Sequence, residues 1–183
     1  MLEPEVESRP WAEQQALDAD SYREQLAYLL ERSPFYREKL GAAGIESAGD
    51  AGGLDEIAKL PLTTKQEIRD STTAENPIGT PLCVERDEIV RIYSTSGTTG
   101  APSYIPLTAG DLENWLTGSS RSYAGSGVSA GQRIVTTYGA GPWVAGAALD
   151  SMERIGLSHI PVGAGNTERL MRAKATDAGQ SIV

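Results

Sequence analysis

From Arg133 onward, short β-branched runs alternate with helical stretches, and this alternation limits the fold more than any other feature of the chain. Arg133 to Tyr138 (Arg-Ile-Val-Thr-Thr-Tyr) reads as a strand, and Pro142 to Ile155 as a buried, alanine-rich helix. Leu157 to Val162 reads as a second strand. Asn166 or Thr167 caps a helix to about Ala178, and Ser181 to Val183 starts a third strand. Strands separated by helices of this length predict βαβ units and a parallel sheet. Such sheets bind ligands beyond the carboxyl ends of their strands, so the turn from Tyr138 to Trp143 is a site candidate on topology alone. A final strand with nothing to cover it is an exposed edge. Two expectations follow from that edge: a missing C-terminal portion, or self-association as a homodimer.

The first 88 residues have a different texture. Residues 1 to about 17 read as a loosely held lead-in. Tyr22, Leu26, Leu29 and Leu30 carry helical spacing from about Asp20, with Asp18, Asp20 or Ser21 available as caps. Pro34 starts a second helix through Phe35, Tyr36 and Leu40, which Gly41 and Gly44 stop. Leu54, Ile57 and Leu60 give a further turn or two. Thr63 or Thr64 caps a helix through Ile68, with Glu67 spaced for a reciprocal capping box. Residues 71–88 are a polar connector. The expected fold class is therefore α/β, with a helical lead-in over residues 1–88 and βαβ units forming a mostly parallel sheet over 89–183. Tyr22, Leu26, Leu29 and Trp115 read as core.

Composition excludes several classes. The net charge of −9 argues against nucleic acid or an anionic membrane surface as partner. One cysteine, Cys83, rules out a disulfide framework or a cysteine-rich metal centre and suits a reducing cytoplasm. The N-terminus has no apolar core of a secretory signal, and no run approaches the roughly 20 apolar residues that span a bilayer.

Ile89 to Tyr93 reads as a strand, Ser103 to Thr108 as another, and between them lies Ser94-Thr-Ser-Gly-Thr-Thr-Gly100. Gly97 and Gly100 can adopt backbone angles closed to other residues, letting consecutive N–H groups face one concavity. The hydroxyls of Thr95, Ser96, Thr98 and Thr99 add rotatable donors. This is the chemistry of a polyphosphate cradle. Ser/Thr/Gly clusters are more often plain turns, so the order of residues matters. A kinase-type P-loop is absent, because Gly-x-x-x-x-Gly-Lys-Ser/Thr does not occur. Ala109 to Arg121 follows as a helix opened by Thr108 and Asp111.

The order Ser-Gly-Thr-Thr-Gly, with Pro102 two residues on, resembles the phosphate loop of the adenylate-forming enzymes. Four further segments narrow the resemblance to the N-terminal part of the phenylacetate–CoA ligases: Ser33-Pro-Phe-Tyr-Arg37, Leu60-Pro-Leu-Thr-Thr-Lys65, Thr137-Tyr-Gly-Ala-Gly-Pro-Trp143, and Ile160-Pro161 with Gly163-Ala-Gly-Asn-Thr-Glu168. The resemblance implies activation of a small aromatic carboxylic acid with ATP and Mg2+, then transfer to coenzyme A. It assigns Thr95, Ser96, Gly97, Thr98, Thr99 and Gly100 to the phosphates. It gives Tyr138, Gly139, Gly141 and Trp143 to the acid pocket, and leaves no catalytic residue and no metal ligand assigned. Ala140 stands where relatives often carry an aromatic, which widens that pocket, and Trp143 reads equally as core. Ala101 stands where the family usually has lysine. The competing reading is a short non-catalytic relative that serves as a binding or assembly partner. His159, the single histidine, reads as packed or surface, and Arg133 and Arg154 as surface charges.

Overall fold

The computed structural model describes residues 1–95, 103–137, 145–165 and 167–175. The chain divides into two compact units: Met1–Glu7, Val90–Ser96 and Pro106–Val183 form one, Ser8–Ile89 and Gly97–Ile105 the other. A four-residue helix, α1 (Pro4–Glu7), opens the first.

The second unit begins with α2 (Trp11–Arg32), and here the sequence reading is corrected: the helix starts at Trp11, not near Asp20. Asp18, Asp20 and Ser21 lie inside it and cap nothing. The added turns are rich in Ala, Glu, Gln and Leu, good helix formers that need no buried face. Trp11 and Leu17 are exposed, so no apolar period marked this stretch. Ser33 ends α2 and caps α3 (Pro34–Ala42), its Oγ accepting from the Tyr36 N–H at 3.3 Å. The same buried hydroxyl donates to the Thr80 carbonyl at 3.3 Å, tying the connector to the helix junction. Arg37 reaches back to the Leu30 and Glu31 carbonyls, at 2.9 and 2.6 Å, which the end of α2 leaves unpaired.

The close of α3 shows a device that the ends of α5 and α6 repeat. The Gly44 N–H donates to Gly41 and the Ile45 N–H to Leu40, both at 2.9 Å, a Schellman closure with Gly44 at φ +79°. Leu40 and Ile45, brought together by that closure, join Leu26 and Ala51 in a buried cluster flanked by Tyr22, Leu30, Tyr36 and Leu60. A 3-10 turn follows at Leu54–Lys59, then α4 (Lys65–Asp70). Of the two threonines offered as its cap, Thr64 holds the position and makes the expected capping box with Glu67.

In the other unit, β1 (Ile89–Ser94) pairs with β2 (Tyr104–Thr108), which leads directly into α5 (Ala109–Gly125). Thr108 and Asp111 form the capping box that opens α5. β3 (Arg133–Thr136) and β4 (Ser158–Pro161) pair in parallel, from Arg133 opposite Ser158 to Thr136 opposite Pro161. Their crossover contains α6 (Ala145–Ile155), and α7 (Thr167–Ala175) follows β4. Among the described residues the sheets have two strands each. The third strand expected at Ser181 to Val183 lies outside the described residues.

The Schellman closure recurs at the end of α6. Gly156, at φ +92°, donates to Glu153, and the Leu157 N–H donates to Met152 at 3.3 Å. Met152 and Leu157 are again core neighbours, with Val128, Ile134 and Ile155. α5 and α6 approach closely because small residues face each other. Ser120, Ala147 and Ser151 are fully buried, and the Ser120 hydroxyl donates to the Ser151 carbonyl at 3.1 Å. No helix among the described residues is long and apolar enough to cross a membrane.

Candidate functional site

The segments to which the sequence assigns chemistry lie between described elements. Of the phosphate-loop residues, Thr95 is described, just after β1. Ser96, Gly97, Thr98, Thr99 and Gly100 lie outside the described residues, as do Tyr138, Gly139, Gly141 and Trp143. What the structure gives is the frame from which residues 138–144 depart and to which they return.

That frame converges on α6. Tyr93, on β1 two residues before the loop begins, is buried against Trp115 of α5, ring centroids 5.7 Å apart. Gly146, in the first turn of α6, packs beside the Tyr93 ring: a Cβ there would stand 3.4 Å from the Tyr93 hydroxyl, in van der Waals contact. Arg91, also on β1, donates to Asp150 of α6 at 2.7 Å and to the Tyr93 hydroxyl at 3.2 Å. Asp150 first, and then Tyr93, hold the guanidinium pKa above its ordinary value. The last residues of β1 are thereby bound to the helix that follows residues 138–144.

The other end of α6 is tied to the sheet. His159 is almost wholly buried, its Nε2 2.7 Å from the Thr136 hydroxyl and its Nδ1 3.2 Å from a Glu153 carboxylate oxygen. The reading of His159 as packed stands. Arg154 pairs with Glu113 across α5 and α6 at 2.5 Å, so its surface charge also ties two helices.

A cleft of about 310 Å³ opens at the carboxyl ends of the parallel pair, where the topological rule places ligands. Thr137, directly after β3, lines one side. Gly163, Ala164 and Gly165, after β4, line the other, with Thr167 and Leu170 of α7. Neither Thr137 nor the second turn was picked out as a site. The signal lies in the alternation itself, since parallel strands put successive βα turns on the same edge. Among the described residues no group of three or more His, Cys, Asp or Glu side chains is arranged to hold a metal ion.

The class follows from the fold. The chain matches solved structures of a 2-hydroxyisobutyryl-CoA ligase, one in complex with 2-HIB-AMP and CoA at a TM-score of 0.85 and 28% identity, covering 94% of this chain and 37% of that one. An open conformation of the same ligase matches at a TM-score of 0.77 and 26% identity, over 91% and 36% of the two chains. The described α/β elements thus resemble the N-terminal region of a CoA ligase.

Curated proteins narrow this to a particular group. Phenylacetate–coenzyme A ligases from Thermus thermophilus and Escherichia coli are 35% and 36% identical over 170 and 169 residues, and one from Aromatoleum evansii is 32% identical over 169. The chain is a relative of the phenylacetate–coenzyme A ligases across 92% of its own length, as its motifs implied. It spans 37% of the length of those relatives. No family model matches the chain.

Proposed function

We propose that this chain supplies the phosphate loop and acid pocket of an AMP-forming aryl-carboxylate–CoA ligase. In that reaction a carboxylate oxygen attacks the α-phosphorus of ATP, the bond to the β-phosphate oxygen breaks, and pyrophosphate leaves. The coenzyme A thiolate then attacks the acyl carbon and AMP departs. Residues 95–100 hold the phosphates through backbone N–H groups and hydroxyls, stabilising charge as pyrophosphate separates. Tyr138, Gly139, Gly141 and Trp143 line the acid pocket. The observation that carries the reading is Thr95-Ser-Gly-Thr-Thr-Gly100 directly after β1, in a chain whose relatives are phenylacetate–CoA ligases. The adenylate and CoA in complexes of the fold neighbours support the same pair of substrates here.

Phenylacetate is the proposed acid, with a substituted benzoate as the variant that Ala140 and Trp143 accommodate. Among the described residues no acidic cluster is arranged to hold Mg2+. The β3–β4 pair is proposed as part of a larger, mostly parallel sheet, with residues 1–88 as its helical lead-in and 89–183 as the site-bearing part. A cytoplasmic setting is included on the single free thiol of Cys83.

The test is acid-dependent ATP–pyrophosphate exchange in the protein as its host makes it, with phenylacetate, 4-hydroxybenzoate and 2-hydroxyisobutyrate. Gly97→Val abolishes exchange if the loop holds the phosphates, and retained exchange overturns the assignment. Trp143→Ala shifts the order of acids with the ATP KM unchanged. One observation favours a second reading. Ala101 removes the cation the family carries beside the phosphates, and a non-catalytic binding partner needs none. That reading predicts a folded protein with no exchange for any acid.

A further inference from the structure

We propose that His159 is a positioning residue for the acid-binding turn, acting through a proton-ordered chain from Thr136 to Glu153; the role toward the acid rests on the ligase reading above. The chain has three members from three elements. Thr136 is the last residue of β3, buried and adjacent to Thr137 of the cleft. His159 is on β4, where it lies opposite Ile134 in the parallel register. Glu153 is on α6, the helix that begins after the turn. One imidazole thus joins the strand that leads into residues 138–144 to the helix that leaves them.

For the neutral imidazole the chemistry fixes the direction of both hydrogen bonds. A carboxylate only accepts, so the ring nitrogen facing Glu153, Nδ1, carries the hydrogen and donates. In the neutral ring Nε2 then has a lone pair and no hydrogen, so it accepts from the Thr136 hydroxyl at 2.7 Å. The buried hydroxyl has one rotor position that satisfies this acceptor, and the Thr136 side chain is held with it. An apolar residue at 159 would leave the Thr136 hydroxyl without this acceptor in a buried place, freeing the end of β3 to shift. A displacement of about 1 Å at a substrate-positioning element is enough to impair a reaction, although the residue touches no substrate.

Because the chain has a single histidine, the arrangement can be read directly. Nitrogen-15 NMR of the folded protein, recorded with the ring neutral, should show Nδ1 protonated and Nε2 bare. The opposite tautomer overturns the relay. Kinetics then tests its purpose through exchange with phenylacetate. His159→Leu and Thr136→Val should each raise the acid KM about five-fold or more with the ATP KM within about two-fold of the parent. His159→Gln, which returns a carbonyl acceptor toward Thr136, should recover most of the loss. Equal effects on both KM values, no effect, or no rescue by glutamine in a folded variant overturn the positioning role. A parent protein without acid-dependent exchange overturns the ligase reading and the role toward the acid with it. The NMR result still decides in that case whether the relay exists.

Discussion

The two units are held by different kinds of interaction. In the Ser8–Ile89 unit the polar bonds are mostly short in sequence: Ser33 to Tyr36, Thr64 to Glu67, Arg37 to Leu30. In the unit that contains α6, local bonds are joined by several that reach across the chain: Arg91 to Asp150, Ser120 to Ser151, Thr136 to His159, and Glu3 to Arg121. Local bonds form as soon as a helix does, whereas distant ones form only when the fold is assembled. The Ser8–Ile89 unit is therefore specified by helix ends and a small apolar cluster. The unit that contains α6 is specified by one helix that must meet several partners at once.

The largest expected effect lies in the apolar cluster. Leu26→Ala removes a buried side chain among Leu40, Ile45 and Ala51, and should cost about 2–5 kcal/mol in denaturant unfolding. Hydrogen exchange should locate the loss in α2 and α3. A cost below about 1 kcal/mol would mean that the caps, not the cluster, hold this unit. Next is the close contact between α5 and α6. Ser120→Leu forces a larger side chain against Ser151 and should cost about 1–3 kcal/mol, with exchange quickening along both helices. An unchanged midpoint would show that the helices separate freely and that the distant ties do not define the unit.

A single cap should matter less. Thr64→Ala breaks the α4 capping box and should cost about 1 kcal/mol. Glu67 of that box is also bonded to Lys39. The lysine first, and then the Thr64 N–H, lower its pKa from 4.5 to about 2. A carboxylate with a lowered folded pKa contributes stability that is complete above pH 4.5 and lost as pH falls from there toward about 2. Glu67→Gln should flatten the stability-against-pH curve over that interval, and an unchanged slope would detach the cap from acid unfolding. The smallest effect is expected for Arg172→Ala. It removes an exposed pair with Glu168 on α7 and should change stability by no more than about 0.5 kcal/mol.

The same contrast explains what was legible in the sequence. The Thr64–Glu67 and Thr108–Asp111 boxes, the Pro34 helix start and the Gly44 stop were readable because each lies within a few residues. The crossover helix and its two parallel strands were readable from alternation. The early start of α2 was missed because its first turns are exposed and carry no apolar period. The distant ties were illegible one residue at a time. Nothing adjacent to Arg91 indicates Asp150, and nothing adjacent to His159 indicates Thr136. Likewise, the cleft between Thr137 and Gly165 needed both βα turns considered together.

The link between α6 and β4 has a consequence for how this chain can vary. Gly156 and Leu157 are the only residues between them, and both are occupied, one turning the chain and the other filling the core. One inserted residue would advance β4 by one step and exchange its two faces, sending His159 outward and a neighbour inward. Lineages that lengthen or shorten this protein should therefore do so in the connector over residues 71–85. The crossover should keep its length even where its side chains drift.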